Sequence, residues 1–164
     1  MSSEDIIPAN IVIRKVDESL VESFYRVYKE AYFRLGLEEY AYTTKSSIVG
    51  YFWWLINRDR DGFRVAEMHG IPVGFVACDA NWYSKYEGDY VAEVHEIVVH
   101  PDYQGLGIGR RLMEAALNYG KSRGRKVSEL WVGVENHNAR RFYKRLGFEE
   151  REIKGIWLRM VKRL

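Results

Sequence analysis

Val98-Val99-His100-Pro101-Asp102-Tyr103-Gln104-Gly105-Leu106-Gly107-Ile108-Gly109-Arg110-Arg111-Leu112 is the stretch on which the fold of this chain turns. An apolar, β-branched run ends at Val99, and a helical face begins at Ile108 and continues through Leu112, Ala115, Ala116 and Tyr119. Gly124 follows where such a helix should stop. The segment therefore leaves a strand and opens a helix. Gly105, Gly107 and Gly109 permit backbone conformations that a side chain forbids and let a ligand approach the main chain closely. The first amides of the helix point outward at the positive end of its dipole, and such a cup suits a pyrophosphate.

Two familiar phosphate loops do not fit. A Walker loop needs Gly-Lys-Ser/Thr, but Gly109 is followed by Arg110-Arg111. A dinucleotide fingerprint needs a third glycine where Arg110 stands, and should follow an early strand rather than lie two-thirds along the chain. Glycines alone also allow a plain turn with no ligand.

Outward from the loop, Tyr90–Val99 is the clearest strand and Val127–Val134 another. A strand–helix–strand unit over 90–134 predicts one parallel pair in a largely antiparallel sheet. Upstream, Ile11, Ile13 and Val16 suggest a short strand. A helix follows, capped by Asp17 or Ser19, with Leu20, Phe24, Val27, Tyr28 and Ala31 on one face. Thr43–Arg58 reads as a second helix, and Phe63–Met68 with Val73–Ala77 as a hairpin around His69-Gly70. Downstream, Ala139, Phe142, Tyr143 and Leu146 form a short amphipathic helix ended by Gly147. Phe148–Ile153 and Ile156–Val161 close the chain as two strands around Gly155. No repeat or linker is visible, so residues 1–164 are expected to form one domain.

Composition narrows the function. The chain has 164 residues, 47% apolar and 29% charged, with a formal charge of +2, so it reads as globular and not as a nucleic-acid binder. The single cysteine, Cys78, excludes an internal disulfide and a cysteine-based zinc site; it sits in an apolar run as a small hydrophobe, and no metal is expected. Met1–Asp5 is polar and acidic, unlike a signal peptide, and the longest aromatic-apolar run, Tyr51–Ile56, is too short to span a bilayer. A cytoplasmic protein with no membrane or nucleic-acid partner is expected. The tryptophans fit either a core or a dimer seam, so monomer and homodimer both remain open.

Gln104, Gly107 and Gly109 match Gln/Arg-x-x-Gly-x-Gly/Ala, and Asn136-x-x-Ala139-x-x-Phe142-Tyr143-x-x-x-Gly147-Phe148 follows at a matching distance. With the apolar strand and His100-Pro101, this pair of motifs resembles the GNAT superfamily of N-acetyltransferases. The order of elements agrees over most of the chain, more loosely at Met1–Asn10 and Leu35–Arg60. The resemblance implies an α+β (mixed α/β) fold: a central twisted, mostly antiparallel sheet of six or seven strands with one splayed parallel pair, flanked by about four helices. It also implies acetyl-CoA as cosubstrate and transfer of its acetyl group to a primary amine by direct attack in a ternary complex. The acceptor, a small molecule, peptide or protein, is not specified.

Carried onto this chain, the resemblance lays the pantetheine arm along Ile97, Val98 and Val99, with the backbones of Ile97 and Val99 hydrogen-bonding it. The amides of Gly105, Leu106, Gly107, Ile108 and Gly109 would hold the pyrophosphate. Arg110 and Arg111 either approach phosphates or face solvent. Asn136 would contact the arm, cap the short helix, or both, and Asn138 is a candidate for either role. Tyr143 would serve the departing thiolate, though its place on an apolar face also suits a core residue. The Ile97 N–H would face the oxyanion.

An amine must lose a proton to attack a thioester, so a base is useful near neutral pH. Glu93, His95 and Glu96 are the candidates. Strict alternation puts Glu93, His95 and Ile97 on one face and Glu96 on the other, and a bulge would shift these faces. The aromatic region Tyr25–Trp54 contains Leu35–Thr44, the expected acceptor loop. A non-catalytic acyl-CoA sensor on the same fold, or a nucleotide-phosphate binder, would share the cup but need no base.

Overall fold

The computed structural model describes residues 10–164; the polar start Met1–Asp5 lies outside them. Seven strands form one sheet: β1 (Ile11–Lys15), β2 (Phe63–Met68), β3 (Ile71–Ser84), β4 (Asp89–Val99), β5 (Val127–Gly133), β6 (Glu149–Lys154) and β7 (Trp157–Arg163). Their order is β1-β2-β3-β4-β5-β7-β6. Four helices accompany them: α1 (Val21–Phe33), α2 (Lys45–Arg58), α3 (Ile108–Ser122) and α4 (His137–Arg145). This is the expected mixed sheet. β4 and β5 are parallel, and every other neighbouring pair is antiparallel.

Local chemistry sets the ends of these elements. The Asp17 side chain accepts from the Ser19 amide, and Thr44 caps α2 by accepting from the Ser47 amide. Asn136 caps α4 by accepting from the Ala139 amide at 3.4 Å. Gly124 and Gly147, just past the ends of α3 and α4, have φ of +79° and +96°.

Each face of the sheet carries its own core. Phe63, Val65, Phe75, Ala77 and Val98 pack under α1 and α2 with Phe24, Tyr28, Ile48 and Phe52. Val76, Cys78, Ala92, Val94, Leu130 and Met160 pack under α3 with Ile108, Leu112, Met113 and Ala116. Cys78 is thus the expected core residue, and burial raises its thiol pKa well above the usual range.

β3 runs to Ser84, well past the predicted Ala77. The extra residues pair with the start of β4, with Trp82 opposite Val91 and Tyr83 opposite Tyr90. Asp79 and Asn81 interrupt the apolar run there, and tertiary pairing overrides that local signal.

Candidate active site

The parallel pairing of β4 with β5 covers only Ala92, Glu93 and Val94. Beyond Val94 the strands diverge, because β5 stays paired with β7 from Val127 to Gly133 while β4 stays on β3. The gap opens a cleft of about 1450 Å3. It is lined along β4 by His95, Glu96, Ile97, Val98 and Val99, and at the end of β5 by Gly133.

A bulge sets the chemistry of this wall. Ala77 pairs with Glu96 and Cys78 with Val94, leaving His95 as the extra residue on β4. Val94 packs on the α3 side and Val98 on the α1/α2 side, although four residues separate them. Strict alternation therefore fails at His95. Ile97 and Val99 turn toward α3, and His95 and Glu96 both turn toward α1 and α2.

The three acidic or basic candidates are now distinct. The Glu96 carboxylate accepts from Tyr32 Oη at 2.7 Å on Oε2, and Tyr51 Oη lies 3.2 Å from Oε1. Burial pushes its pKa up to about 7, against the opposing pull of the two tyrosines and the Ile97 N–H. His95 lies between Trp54 and Trp82, with ring centroids at 4.8 and 4.9 Å, and its Nε2 is 2.9 Å from Asp79. Burial opposes ionisation of Asp79, but hydrogen bonds from His95 and Arg58 outweigh it and hold that carboxyl below its usual range. Glu93 is not among the residues lining the cleft. It is 3% exposed and stands in register with Glu129, which accepts from Arg159 at 2.8 Å. Burial, then the hydrogen bond and charge of Glu129, raise the Glu93 pKa well above the carboxylate range.

At the far end of β4 the glycines of the loop have separate reasons. Gly105 and Gly107 have φ of +79° and +81°, the left-handed region that disfavours a side chain. Gly109 is ordinary helix, but a Cβ there would lie 3.3 Å from the Phe142 ring. Gly107 caps α3, whose first helical bond is Arg111 N–H to the Gly107 carbonyl at 3.1 Å. The amides of Ile108 and Gly109 precede that bond and lie at the positive end of the helix. Gln104 fixes the loop to its strand by donating from Nε2 to the Val99 carbonyl at 3.1 Å. Gln104, Gly105, Gly107, Ile108, Gly109 and Arg110 all line the cleft, while Leu106 packs on the α3 core. Arg111 instead donates to the Ile11 carbonyl on β1 at 3.1 Å and is not among the residues lining the cleft.

The second motif forms the opposite wall. Asn136, Asn138 and Tyr143 line the cleft. Tyr143 is only 9% exposed, and burial first, then the charge of Glu96, raise its hydroxyl pKa above the usual tyrosine value. The residue both packs in the α3 core and lines the cleft, where the charge of Glu96 reaches it. Asn138 accepts from Arg141.

The connection between α1 and α2 closes the remaining side, and Leu35, Leu37, Glu39, Tyr40, Ala41 and Tyr42 all line it. Tyr40 anchors this strap. Its hydroxyl accepts from the Glu135 amide at 2.9 Å, and its ring covers Gly133 so closely that a Cβ there would lie 2.4 Å from it. Sequence reasoning grouped Tyr32 and Tyr51 with the aromatic region but did not connect them to Glu96. The aromatic cluster was visible; the partner on β4 was not.

Residues 21–148 match the acetyltransferase (GNAT) family. An uncharacterised N-acetyltransferase of Methanocaldococcus jannaschii is 53% identical over 152 residues, covering 93% of this chain and 66% of the relative. Another, from Archaeoglobus fulgidus, is 54% identical over 131 residues, covering 80% of this chain and 88% of the relative. Among solved structures, a protein of Pyrococcus horikoshii OT3 superposes with a TM-score of 0.85 at 38% identity, over 94% of this chain and 98% of that one. The PaiA N-acetyltransferase of Thermoplasma acidophilum, solved in complex with coenzyme A, shares the fold at a TM-score of 0.78 and 21% identity, over 94% of this chain and 99% of that one. The chain belongs to the GNAT acetyltransferase family.

Proposed function

We propose that this GNAT-family chain acts as a single acetyltransferase domain that uses acetyl-CoA to acetylate a primary amine, with Glu96 as the base. The observation that carries the reading is the Glu96 carboxylate. It sits in the wall of the cleft, is held by Tyr32 at 2.7 Å and Tyr51 at 3.2 Å, and is pushed by burial up to a pKa of about 7, while Tyr143 lines the same cleft with its hydroxyl pKa raised. We place the protein in the cytoplasm, consistent with its lone buried cysteine; among the described residues no helix is long and apolar enough to cross a membrane.

The residues present suit coenzyme A. The backbone of β4 past Val94 has lost its neighbour on the β5 side, so an extended pantetheine arm can lie along Ile97, Val98 and Val99. The loop from Gln104 to Gly109 offers amides and a helix N-terminus to the pyrophosphate, and Arg110 lies beside it. Asn136 and Asn138 line the opposite wall of the cleft and would meet the arm from its other side. Coenzyme A bound to the fold-related PaiA protein supports this choice of donor.

The chemistry then balances on this chain's own groups. The neutral form of the amine attacks the thioester carbonyl, and the proton left on the positively charged nitrogen of the tetrahedral adduct passes to Glu96. An ammonium is a weaker acid than this carboxyl, but the nitrogen becomes far more acidic as the C–N bond forms. The Ile97 N–H, which helps hold the charge on Glu96, is released as Glu96 takes up the proton and then supports the developing oxyanion. The C–S bond breaks as the carbonyl reforms. Tyr143, held above its usual pKa, donates a hydrogen bond to the departing thiolate without surrendering its proton. The proton on Glu96 can return to sulfur, because a carboxyl near 7 is a stronger acid than a thiol of roughly 8.5. The amine reaches Glu96 past the Tyr40–Tyr42 strap.

Calorimetry with acetyl-CoA, followed by a mass-spectrometric screen of peptides, lysine, polyamines and aminoglycosides, tests the reading. Saturable binding and an acetylated amine are expected. Binding with no product across the panel would favour a non-catalytic acyl-CoA sensor instead.

A further inference from the structure

We propose that Tyr32 and Tyr51 act as a clamp on Glu96, holding its carboxylate in the orientation and charge state that the transfer needs. This rests on the reading of Glu96 as the base. Each tyrosine comes from a different helix and serves a different oxygen: Tyr32 of α1 reaches Oε2 at 2.7 Å, and Tyr51 of α2 reaches Oε1 at 3.2 Å. Two donors on two oxygens fix both the position and the rotation of the carboxylate. A single donor would leave the rotation free.

Tyr51 adds a second property. Its hydroxyl also lies 3.1 Å from the carbonyl oxygen of His95. It has one proton and two acceptors. While Glu96 is ionised, that proton can serve Oε1. Once Glu96 has taken a proton, its carboxyl can donate to the Tyr51 oxygen, and Tyr51 can turn its own proton to His95. A satisfied arrangement therefore exists on both sides of the proton transfer. The His95 carbonyl belongs to the extra residue of the bulge, so the same irregularity turns Glu96 toward the helices and provides this second acceptor. Tyr28 backs the pair, with its ring 4.6 Å from Tyr32 and 6.0 Å from Tyr51, and its hydroxyl accepts from the Tyr42 amide.

Among the described residues no cation takes part in the clamp. The groups facing Glu96 are Tyr28 and Tyr32 from α1, Tyr51 from α2, Tyr143 from α4 and the Ile97 amide of its own strand, while β3 places apolar Ala77 opposite. Hydrogen bonds thus hold the charge against burial. Losing a donor to the charged form raises a carboxyl pKa, and a base acts only when ionised, so weakening the clamp moves activity to higher pH.

The test reads Glu96 directly. The protein is labelled with 13C at its glutamate carboxyls, and the Glu96 resonance is assigned by its loss in Glu96→Gln. A midpoint near neutrality is expected in the parent, moving up by about one pH unit in Tyr32→Phe and in Tyr51→Phe. With a midpoint near 7, kcat/KM at pH 7 then falls about fivefold in each variant and recovers at higher pH. A variant that merely unfolds would lose acetyl-CoA binding, so calorimetry accompanies each titration. Midpoints that stay in place or move down in both variants overturn the clamp. If the midpoints move but Glu96→Gln transfers at the parental rate, the clamp stands as what sets the Glu96 charge and the reading of Glu96 as base falls.

Discussion

Two glutamates on β4, three residues apart, one buried and one half-buried, have opposite fates. Glu93 is sealed at 3% exposure in the paired part of the β4–β5 junction, beside Glu129 and the Arg159 network. Its Oε2 is buried and without a hydrogen-bond partner. Glu96 stands just past the point where the strands part, open to the cleft and held by two tyrosines. Both carboxyls are raised by burial, so burial alone does not identify a base. Access to the reacting amine separates them, together with donors that keep the charged form within reach at neutral pH.

The comparison breaks most sharply at Glu96. Replacing it with Gln should lower kcat/KM by about 10²- to 10⁴-fold, the usual worth of a positioned base, with acetyl-CoA affinity unchanged by calorimetry. Tyr143→Phe should slow transfer about 10- to 100-fold by removing one hydrogen bond to the thiolate, read with a proven acceptor; parental turnover would remove Tyr143 from the mechanism. Gly107→Ala forces a side chain into the left-handed region and should weaken acetyl-CoA binding about tenfold, with a stability loss of about 1 kcal/mol by denaturant titration.

Glu93→Gln should leave kcat/KM within about twofold and improve stability in a pH-dependent way. A carboxyl whose folded pKa is raised contributes stability below its unfolded value, here 4.5, and loses it as pH rises toward the folded value. The variant should therefore gain on the parent as pH climbs above about 4.5, reaching a melting-temperature advantage of at least about 2 °C at neutral pH. An advantage that shrinks over this range would contradict a raised Glu93 pKa in the fold.

What could be read from sequence differs between the two sides of the cleft. The donor side was legible because its signals are local: positive-φ glycines at Gly105 and Gly107, Asn136 as a cap, and an apolar strand leading into a helix. The base was not. Glu93, His95 and Glu96 were equal candidates until the bulge at His95 had a position, and a bulge is fixed by pairing with β3, not by the residues of β4. The tyrosines that tune Glu96 come from 64 and 45 residues away, a distance over which no periodicity carries information. Tyr40 over Gly133 was hidden for the same reason, although several residues of the expected acceptor loop Leu35–Thr44 do line the cleft.

The pH profile of kcat/KM for the parent, Glu96→Gln and Glu93→Gln, measured with one acceptor from the amine screen, tests the central claim most directly. The account predicts an acidic limb near pH 7 in the parent, the same limb in Glu93→Gln, and its disappearance along with most of the rate in Glu96→Gln. A Glu96→Gln enzyme that keeps both the rate and the limb, or a Glu93→Gln enzyme that loses them, would contradict it.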